Sequence, residues 1–246
     1  MSALSENFKF KYADFSKPAF GTRSRWAKSF GALLMAALLS ASGLHPAPAQ
    51  AQALAKSRTQ AASMLLIVGD SLSAEYGLKR GTGWVPLLEK QLAEDQSNVR
   101  VVNASISGDT TSGGRSRLPA LLAQHKPGTV VIELGGNDAL RGLPLDMTEK
   151  NLTAMTQAAK KSGARVLLVG MQVPPNYGGA YGAAFSKLFA NVAAAEKVAL
   201  VPFFLKGVAD GENAAANFLP DRIHPNEQAQ ARLLANVWPD LKKLIQ

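Results

Sequence analysis

The stretch "LLIVGDSLSAEYG", residues 65–77, contains four consecutive apolar residues that are followed at once by Gly-Asp-Ser-Leu-Ser. The apolar run predicts a strand that is buried on both faces, and Gly69 and Asp70 mark its end. Ser71 then follows the carboxyl end of a buried strand, where parallel-sheet proteins place their functional residues. Ser71 is therefore either a turn residue or a nucleophile, and the rest of the chain has to decide between them.

Apolar strand patterns alternate with helical patterns along the rest of the chain. Five buried strands with helices between them predict an α/β fold, in which a parallel sheet is covered on both faces. The predicted strands are 63–69, 99–105, 128–135, 164–172 and 198–204. The predicted helices are 83–95, 116–125, 146–163, 178–197 and 225–245.

The first 53 residues differ from the rest in composition. Six Lys and Arg side chains precede the apolar segment 30–44, and Ala-x-Ala pairs follow it. This order is typical of a secretory signal peptide, and the apolar segment is shorter than the roughly 20 residues of a membrane span. We predict a cleaved signal peptide over 1–53, one domain over 54–246, and export, with the periplasm as the destination. The alternative is an uncleaved N-terminal anchor.

Composition excludes several classes of site and partner. The chain has 246 residues and no cysteine, which excludes a thiol nucleophile, a disulfide framework and Cys-ligated zinc. The formal net charge is +9, but the Lys and Arg residues of the predicted domain are scattered rather than clustered in a stripe with aromatic residues. We therefore expect no nucleic-acid partner and at most peripheral contact with a membrane.

A serine nucleophile needs a base, and the chain has three histidines. His45 lies in the predicted signal peptide, and His125 ends a predicted helix at the opposite edge of the sheet. His224 follows Asp221 by three residues, just before a helix that starts with proline. One tight loop could place Asp221 behind His224 as its orienting group. The alternative for Asp221 is a turn or capping residue.

Acyl transfer also needs donors for a developing oxyanion. Gly108, in the glycine-rich segment after the second strand, offers a backbone N–H with no side chain in the way. Asn137, in "GGND" after the third strand, offers a side-chain amide. The alternatives are a turn glycine and an Asx-turn. These loops follow successive parallel strands, so we expect them at one edge of the sheet with Ser71.

These segments carry a resemblance to a known family. "GDSLS", the glycine of "SISGDT", "GGND" and "DRIHP" resemble, in order, the four blocks of the SGNH (GDSL) hydrolase superfamily. Residues 63–240 are most similar to its bacterial periplasmic thioesterase I, lysophospholipase and arylesterase group. The resemblance implies a Ser71–His224–Asp221 triad and an oxyanion hole of the Ser71 N–H, Gly108 and Asn137. It also implies a flavodoxin-like three-layer α/β/α sandwich with strand order 2-1-3-4-5.

The leading hypothesis is a secreted serine hydrolase of acyl esters and thioesters, with lysophospholipids among the candidate substrates. It requires no cofactor and no metal, and we expect a monomer. A carbohydrate O-acetylesterase on the same fold is the first alternative. A metal-dependent phosphoesterase would use Asp70, Asp138, Asp221 and His224 as ligands but leaves Ser71 and Gly108 without roles. A non-catalytic lipid carrier leaves the whole catalytic set unexplained.

Two further predictions concern residues around the nucleophile. Asp70 is interpreted as structural, with its carboxylate bonded to nearby loop N–H groups. The segment "MQVPPNYGG", residues 171–179, follows the fourth strand at the same edge of the sheet. Its prolines stiffen the first half and its glycines leave the second half free to move. We therefore predict that Pro174 and Tyr177 contact the acyl chain of the substrate.

Overall fold

The computed structural model describes residues 63–246, so the predicted signal peptide lies outside the described residues. Five strands form one sheet in the order β2-β1-β3-β4-β5, and every neighbouring pair is parallel. The predicted α/β class and strand order are confirmed. The strands are β1 (Ser63–Gly69), β2 (Val99–Asn103), β3 (Thr129–Glu133), β4 (Arg165–Val169) and β5 (Ala199–Val201).

Residues 63–246 form six α-helices, five of which cover the two faces of the sheet. The helices are α1 (Trp84–Glu94), α2 (Thr111–His125), α3 (Gly136–Leu140), α4 (Leu145–Lys161), α5 (Gly179–Glu196) and α6 (Gln230–Ile245). Helices α1 and α6 pack against each other, while α2, α4 and α5 pack side by side, which gives the predicted α/β/α layers. Within residues 63–246, no helix is both long and apolar enough to cross a bilayer.

Helix α2 begins five residues earlier than the sequence predicts, because two glycines inside it had indicated a loop. The side chain of Thr110 accepts a hydrogen bond from the Gly113 N–H and caps the helix. A Cβ at Gly114 would lie 2.3 Å from Cδ1 of Leu134. Helix α2 therefore needs glycine for close packing, and the low helix propensity of glycine is overridden by tertiary contact.

Two other helical segments differ from the prediction, and strands β2 to β5 end two to three residues earlier than predicted. The last helix was predicted over 225–245, but a 3₁₀ turn at Glu227–Ala229 comes first and α6 begins at Gln230. The side chain of Asn226 accepts the N–H groups of Gln228 and Ala229 and so starts this turn. The short helix α3, which follows β3 directly, was not predicted, since "GGND" was interpreted as a loop.

Strand β1 ends where its backbone approaches the side chains of its neighbours. A Cβ at Gly69 would lie 2.8 Å from Oε2 of Glu133 and 2.9 Å from Oγ of Ser105. No larger residue fits at this position without displacing a buried carboxyl group. The strand thus turns at Gly69 with Asp70 and Ser71 directly over the end of β3, whose residues are all buried.

Candidate active site

Ser71 lies in a tight turn that follows β1. The N–H groups of Ser73 and Ala74 donate to the carbonyl of Asp70, and the Tyr76 N–H donates to the carbonyl of Ser71. The side chain of Ser71 is largely buried, yet its Oγ lies 2.9 Å from Nε2 of His224. The turn therefore holds a serine hydroxyl within hydrogen-bond distance of an imidazole that is 153 residues away in sequence.

Asp221 and His224 are joined within one loop, as their spacing predicts. Oδ2 of Asp221 lies 2.7 Å from Nδ1 of His224, and Oδ1 accepts the N–H groups of Ile223 and His224 at 2.9 and 3.0 Å. The turn needs a positive φ of 58° at Arg222. The Leu219 N–H donates to the His224 carbonyl and ties the loop back on itself. Ser71, His224 and Asp221 thus form one continuous hydrogen-bonded chain.

Asp221 is held in its charged form. Partial burial tends to raise its pKa, but the N–H groups of His224 and Ile223 and the imidazole itself favour the carboxylate and lower the pKa to about 2. An ionised carboxylate at Nδ1 requires that nitrogen to carry a proton, so Nε2 is left to accept one from Ser71. The arrangement suits His224 to general-base chemistry on the Ser71 hydroxyl.

Three N–H donors from three loops lie around this chain. Within residues 63–246, neither the Ser71 N–H nor the Gly108 N–H donates a hydrogen bond to another protein group. Gly108 has a φ of 76°, a conformation that favours glycine, and its carbonyl accepts a 2.7 Å bond from Nη2 of Arg141. Asn137 uses one amide hydrogen on Asp70 and keeps the second available. These donors are of the type that stabilises an oxyanion.

The carboxyl group of Asp70 joins the turn that holds Ser71 to Asn137. Its Oδ1 accepts the Leu72 N–H at 3.0 Å, and its Oδ2 accepts Nδ2 of Asn137 at 3.0 Å. Burial raises its pKa to about 6, while the Leu72 N–H, the electrostatic effect of the His224 imidazole and the Asn137 amide act in the opposite direction. The interpretation of Asp70 as a residue that binds loop N–H groups agrees with this geometry, and the contact with Asn137 was not foreseen.

A second buried carboxyl group lies beside Asp70. Oε2 of Glu133 accepts a 2.7 Å hydrogen bond from the Ser73 hydroxyl, which in turn accepts Nε1 of Trp84. Burial, together with the charge of Asp70, raises the pKa of Glu133 well above its usual range. Within residues 63–246 no cation is paired with Glu133. This polar network ties the serine turn to β3 and α1.

Two residues of the site were missed from the sequence. The ring of Tyr76 packs against the imidazole of His224, with centroids 4.3 Å apart and planes tilted by 38°. Arg141 bonds the carbonyl of Gly108 and so joins the loop after β2 to the end of α3. Tyr76 lies only five positions from Ser71, but no pattern in the sequence links it to a residue near position 224.

The carboxylates of the metal-site alternative are not gathered into one ligand set. Asp138 is fully buried and accepts hydrogen bonds from the N–H and hydroxyl of Thr111 and from the hydroxyl of Thr148. Asp70 bonds Asn137, and Asp221 bonds His224. In the part of the chain that the structure describes, no three His, Asp or Glu side chains are grouped as metal ligands. The side chains proposed for a phosphoesterase therefore each serve a separate contact.

The predicted substrate loop, residues 171–179, contacts the aromatic residues of helix α5. A 3₁₀ turn spans Pro175–Tyr177, and Tyr177, Tyr181 and Phe185 lie in a stack with successive centroid distances of 6.2 and 6.4 Å. No ring contact or hydrogen bond within residues 63–246 joins Pro174 or Tyr177 to Ser71 or His224. The role of these two residues in acyl binding stays a prediction.

Comparison with known proteins places this geometry in a family. Residues 67–232 match the GDSL-like Lipase/Acylhydrolase family. The esterase TesA of Pseudomonas aeruginosa is 57% identical over 185 residues, which cover 75% of this chain and 90% of that protein. The chain belongs to the GDSL-like lipase/acylhydrolase family. It is accordingly an ester or thioester hydrolase, as the resemblance implied.

Other relatives agree with this assignment. The thioesterase 1/protease 1/lysophospholipase L1 of Escherichia coli is 45% identical over 173 residues, covering 70% of this chain and 80% of that protein. The crystal structure of TesA superposes with a TM-score of 0.71 at 56% identity, covering 74% of this chain and 99% of that chain. The esterase EstA from Pseudoalteromonas sp. superposes with a TM-score of 0.69 at 38% identity, with coverages of 74% and 97%. These relatives therefore share the fold of this chain over about three quarters of its length.

Proposed function

We propose that this family member is an exported serine hydrolase of acyl esters and thioesters that works through a covalent acyl-enzyme. The observation that carries the proposal is the hydrogen-bonded chain from Ser71 through His224 to Asp221, with uncommitted N–H donors beside it. A nucleophile, a base, an orienting group and an oxyanion site are the parts that such chemistry needs.

The reaction follows from these positions. Nε2 of His224 accepts the hydroxyl proton while Oγ of Ser71 forms a bond to the acyl carbon. Negative charge develops on the carbonyl oxygen and is stabilised by the N–H groups of Ser71 and Gly108 and by the amide of Asn137. His224 then gives its proton to the leaving alcohol or thiol. Water loses a proton to His224, attacks the acyl-enzyme, and releases the acid with Ser71 restored.

The substrate class is inferred from the relatives. An esterase, an arylesterase and a thioesterase 1/lysophospholipase L1 are all similar to this chain. We propose that acyl esters and thioesters, including lysophospholipids, are substrates here as well. We also propose that the protein acts as a monomer, which light scattering of the exported form would test.

Two measurements test the chemistry. A fluorophosphonate probe should label one residue, Ser71, with a stoichiometry near one, and Ser71→Ala should abolish labelling. Hydrolysis of a series of p-nitrophenyl esters and acyl-coenzyme A thioesters should survive EDTA unchanged. Loss of activity in EDTA that zinc or manganese restores would overturn the proposal, and activity confined to acetyl esters of sugars would favour the O-acetylesterase alternative.

Export is proposed from the N-terminal pattern, which the described residues do not include. The basic, apolar and Ala-x-Ala order of residues 1–53 predicts cleavage near its end. Mass spectrometry of the protein from a periplasmic extract should find an N-terminus between Gln50 and Leu54. Intact residues 1–30 in the membrane fraction would instead indicate an uncleaved anchor.

A further inference from the structure

The four large apolar side chains that are most exposed in residues 63–246 all lie close in sequence to the proposed catalytic residues, three on loops and one at the end of the short helix α3. Each comes from a different segment, and each is within five positions of Ser71, Gly108, Asn137 or His224. They are Tyr76 at 50% exposure, Ile106 at 53%, Leu140 at 47% and Ile223 at 46%. Exposed apolar residues that cluster around one opening, rather than scattering over the surface, mark an interaction site.

Contacts between the loops place these residues around the same opening. The Tyr76 ring packs on His224, whose neighbour in sequence is Ile223. On the other side, Arg141 follows Leu140 and bonds the carbonyl of Gly108, which joins α3 to the loop that carries Ile106. We call Tyr76, Ile106, Leu140 and Ile223 the apolar rim.

Basic residues flank the rim. Lys79 and Arg80 follow Tyr76 in the same loop, Arg141 adjoins Leu140, and Arg222 adjoins Ile223. Lys79, Arg80 and Arg222 are exposed and form no ion pair with another residue of the described part of the chain. Positive charge therefore surrounds an apolar ring at the mouth of the site.

The carboxylates on the same loops are all bonded to groups of the protein. Asp109 is paired with Arg117 at 2.8 Å, and Asp221 is bound to His224. Oε1 of Glu75 accepts the N–H groups of Gly81 and Gly83, while Oε1 of Glu227 accepts the Lys79 N–H. Lys79, Arg80 and Arg222 thus add exposed positive charge beside the rim that no ion pair within residues 63–246 neutralises.

We propose that the apolar rim and its flanking cations dock the enzyme onto the surface of an anionic phospholipid bilayer, from which the site takes its acyl ester. Apolar side chains at the mouth would enter the boundary between headgroups and acyl chains, and the cations would face anionic headgroups. This inference rests on the proposed function, because only a lipid-derived ester needs the site to face a bilayer. The complementarity of basic charge to an anionic surface favours a bilayer over a second copy of this chain.

The test measures binding apart from hydrolysis. The Ser71→Ala protein, purified after export with an identical N-terminus in every variant, is sedimented with vesicles of phosphatidylglycerol and phosphatidylcholine in equal parts. Ile106→Ser combined with Leu140→Ser should weaken binding by about tenfold, since two partly exposed apolar side chains lose their insertion. Hydrolysis of p-nitrophenyl acetate by the same double variant with Ser71 intact should stay unchanged.

Charge variants separate the electrostatic part. Lys79→Gln combined with Arg80→Gln should weaken binding to the mixed vesicles by roughly tenfold or more, and should not change binding to pure phosphatidylcholine, because each cation near an anionic surface adds about fivefold. Lys126→Gln combined with Lys161→Gln is the matched control. Lys126 directly follows α2 and Lys161 ends α4, both at the opposite edge of the sheet, and their replacement should leave binding unchanged.

Three results would overturn the docking surface. The first is unchanged vesicle binding in both the Ile106→Ser/Leu140→Ser variant and the Lys79→Gln/Arg80→Gln variant. The second is a rim-dependent dimer in light scattering, which would assign the rim to self-association. The third concerns the Ile106→Ser/Leu140→Ser variant with Ser71 intact, assayed on a long-chain ester kept below its critical micelle concentration. A loss of kcat/KM as large as the loss of vesicle binding would show that the rim contacts only the acyl chain of the substrate. Labelling of Ser71 by a fluorophosphonate reports separately on the proposed function.

Discussion

Asn137 donates its side-chain amide to the buried carboxylate of Asp70 at 3.0 Å, across the ends of two neighbouring strands. A carboxylate only accepts, so this bond requires Nδ2 rather than Oδ1 of Asn137 to face Asp70. One amide hydrogen is thereby fixed and the orientation of the second is defined. Asp70 thus positions Asn137, the proposed oxyanion donor, while its own oxygens remain bonded inside the protein.

The first prediction concerns this pair. Asn137→Ala should lower kcat by about 10²–10³, because one of three oxyanion donors is lost. Asp70→Ala should also lower kcat, since Asn137 loses the acceptor that orients it. In the Asn137→Ala background, Asp70→Ala should cost far less than it does alone. Steady-state kinetics on one ester give all four rates, and thermal melting identifies variants that fail to fold.

The four proteins form a double-mutant cycle. If the decreases in log kcat caused by Asn137→Ala and Asp70→Ala simply add in the double variant, Asp70 does not act through Asn137. A value of kcat for Asn137→Ala within about threefold of the unmodified enzyme would remove Asn137 from the oxyanion site.

The second prediction concerns the triad. Ser71→Ala and His224→Ala should each lower kcat by about 10⁴–10⁶, because either change removes the nucleophile or its base. His125→Ala is a matched control, since His125 ends α2 at the opposite edge of the sheet. Its activity should equal that of the unmodified enzyme. An active His224→Ala protein that still labels with a fluorophosphonate would require another base.

The third prediction uses the pKa of Asp70, which burial raises from 3.8 to about 6. The folded protein therefore holds this proton more tightly than the unfolded chain does. The stability that the proton contributes is present below about pH 4 and is lost as the pH rises through 6. Relative to Asp70→Asn, the unmodified protein should lose on the order of 3 kcal/mol of unfolding free energy between pH 4 and pH 7.

Urea unfolding at intervals across this pH range measures the difference. A constant gap between the two proteins would show that Asp70 titrates at its ordinary pKa. Asp221 serves as a contrast, because its lowered pKa of about 2 confines its own contribution to more acidic solutions. Loss of the Asp221 carboxyl group in Asp221→Asn should therefore not remove the pH dependence of the unfolding free energy between pH 4 and pH 7 that is predicted for Asp70.

The fourth prediction concerns the segment 171–179. Tyr177→Ala should shorten the aromatic stack with Tyr181 and lower kcat/KM for long acyl chains by roughly tenfold, since two buried methylenes are each worth about 0.8 kcal/mol. Tyr177→Phe keeps the ring and should behave like the unmodified enzyme. Pro174→Ala should shift the chain-length preference in the same direction. Acetate esters, which are too short to reach the loop, should be hydrolysed nearly as before.

A chain-length series of p-nitrophenyl esters measures this ratio. An equal decrease for short and long esters in both the Tyr177→Ala and Pro174→Ala variants would make the loop a support for the site rather than a determinant of acyl length.

Local pattern alone was enough to predict five strands and their parallel direction, whereas the strand order was implied by the family resemblance. The apolar runs indicate the strands, and the helices that connect them favour parallel pairing. The predicted burial is wrong for β2, which has no buried residue and forms one edge of the sheet. The D-x-x-H spacing likewise determines the contact of Asp221 with His224, because both lie in one tight loop. Features of this kind depend on residues close together in the chain, so the sequence determines them directly.

Contacts between distant residues were decided only by the tertiary structure. Helix α2 carries glycine at two positions where a side chain has no room, because Asp109 lies against Gly113 and Leu134 lies against Gly114, which no local propensity records. Tyr76 meets His224, and Arg141 meets Gly108, through loops whose paths depend on packing. Asn137 and Asp70 are 67 residues apart, and Ser71 and His224 are 153 apart. The sequence by itself determined which polar side chains follow the carboxyl ends of the strands. Their pairing at hydrogen-bond distance was decided by the tertiary structure, because only the packed core fixes the positions of all the strand ends relative to one another.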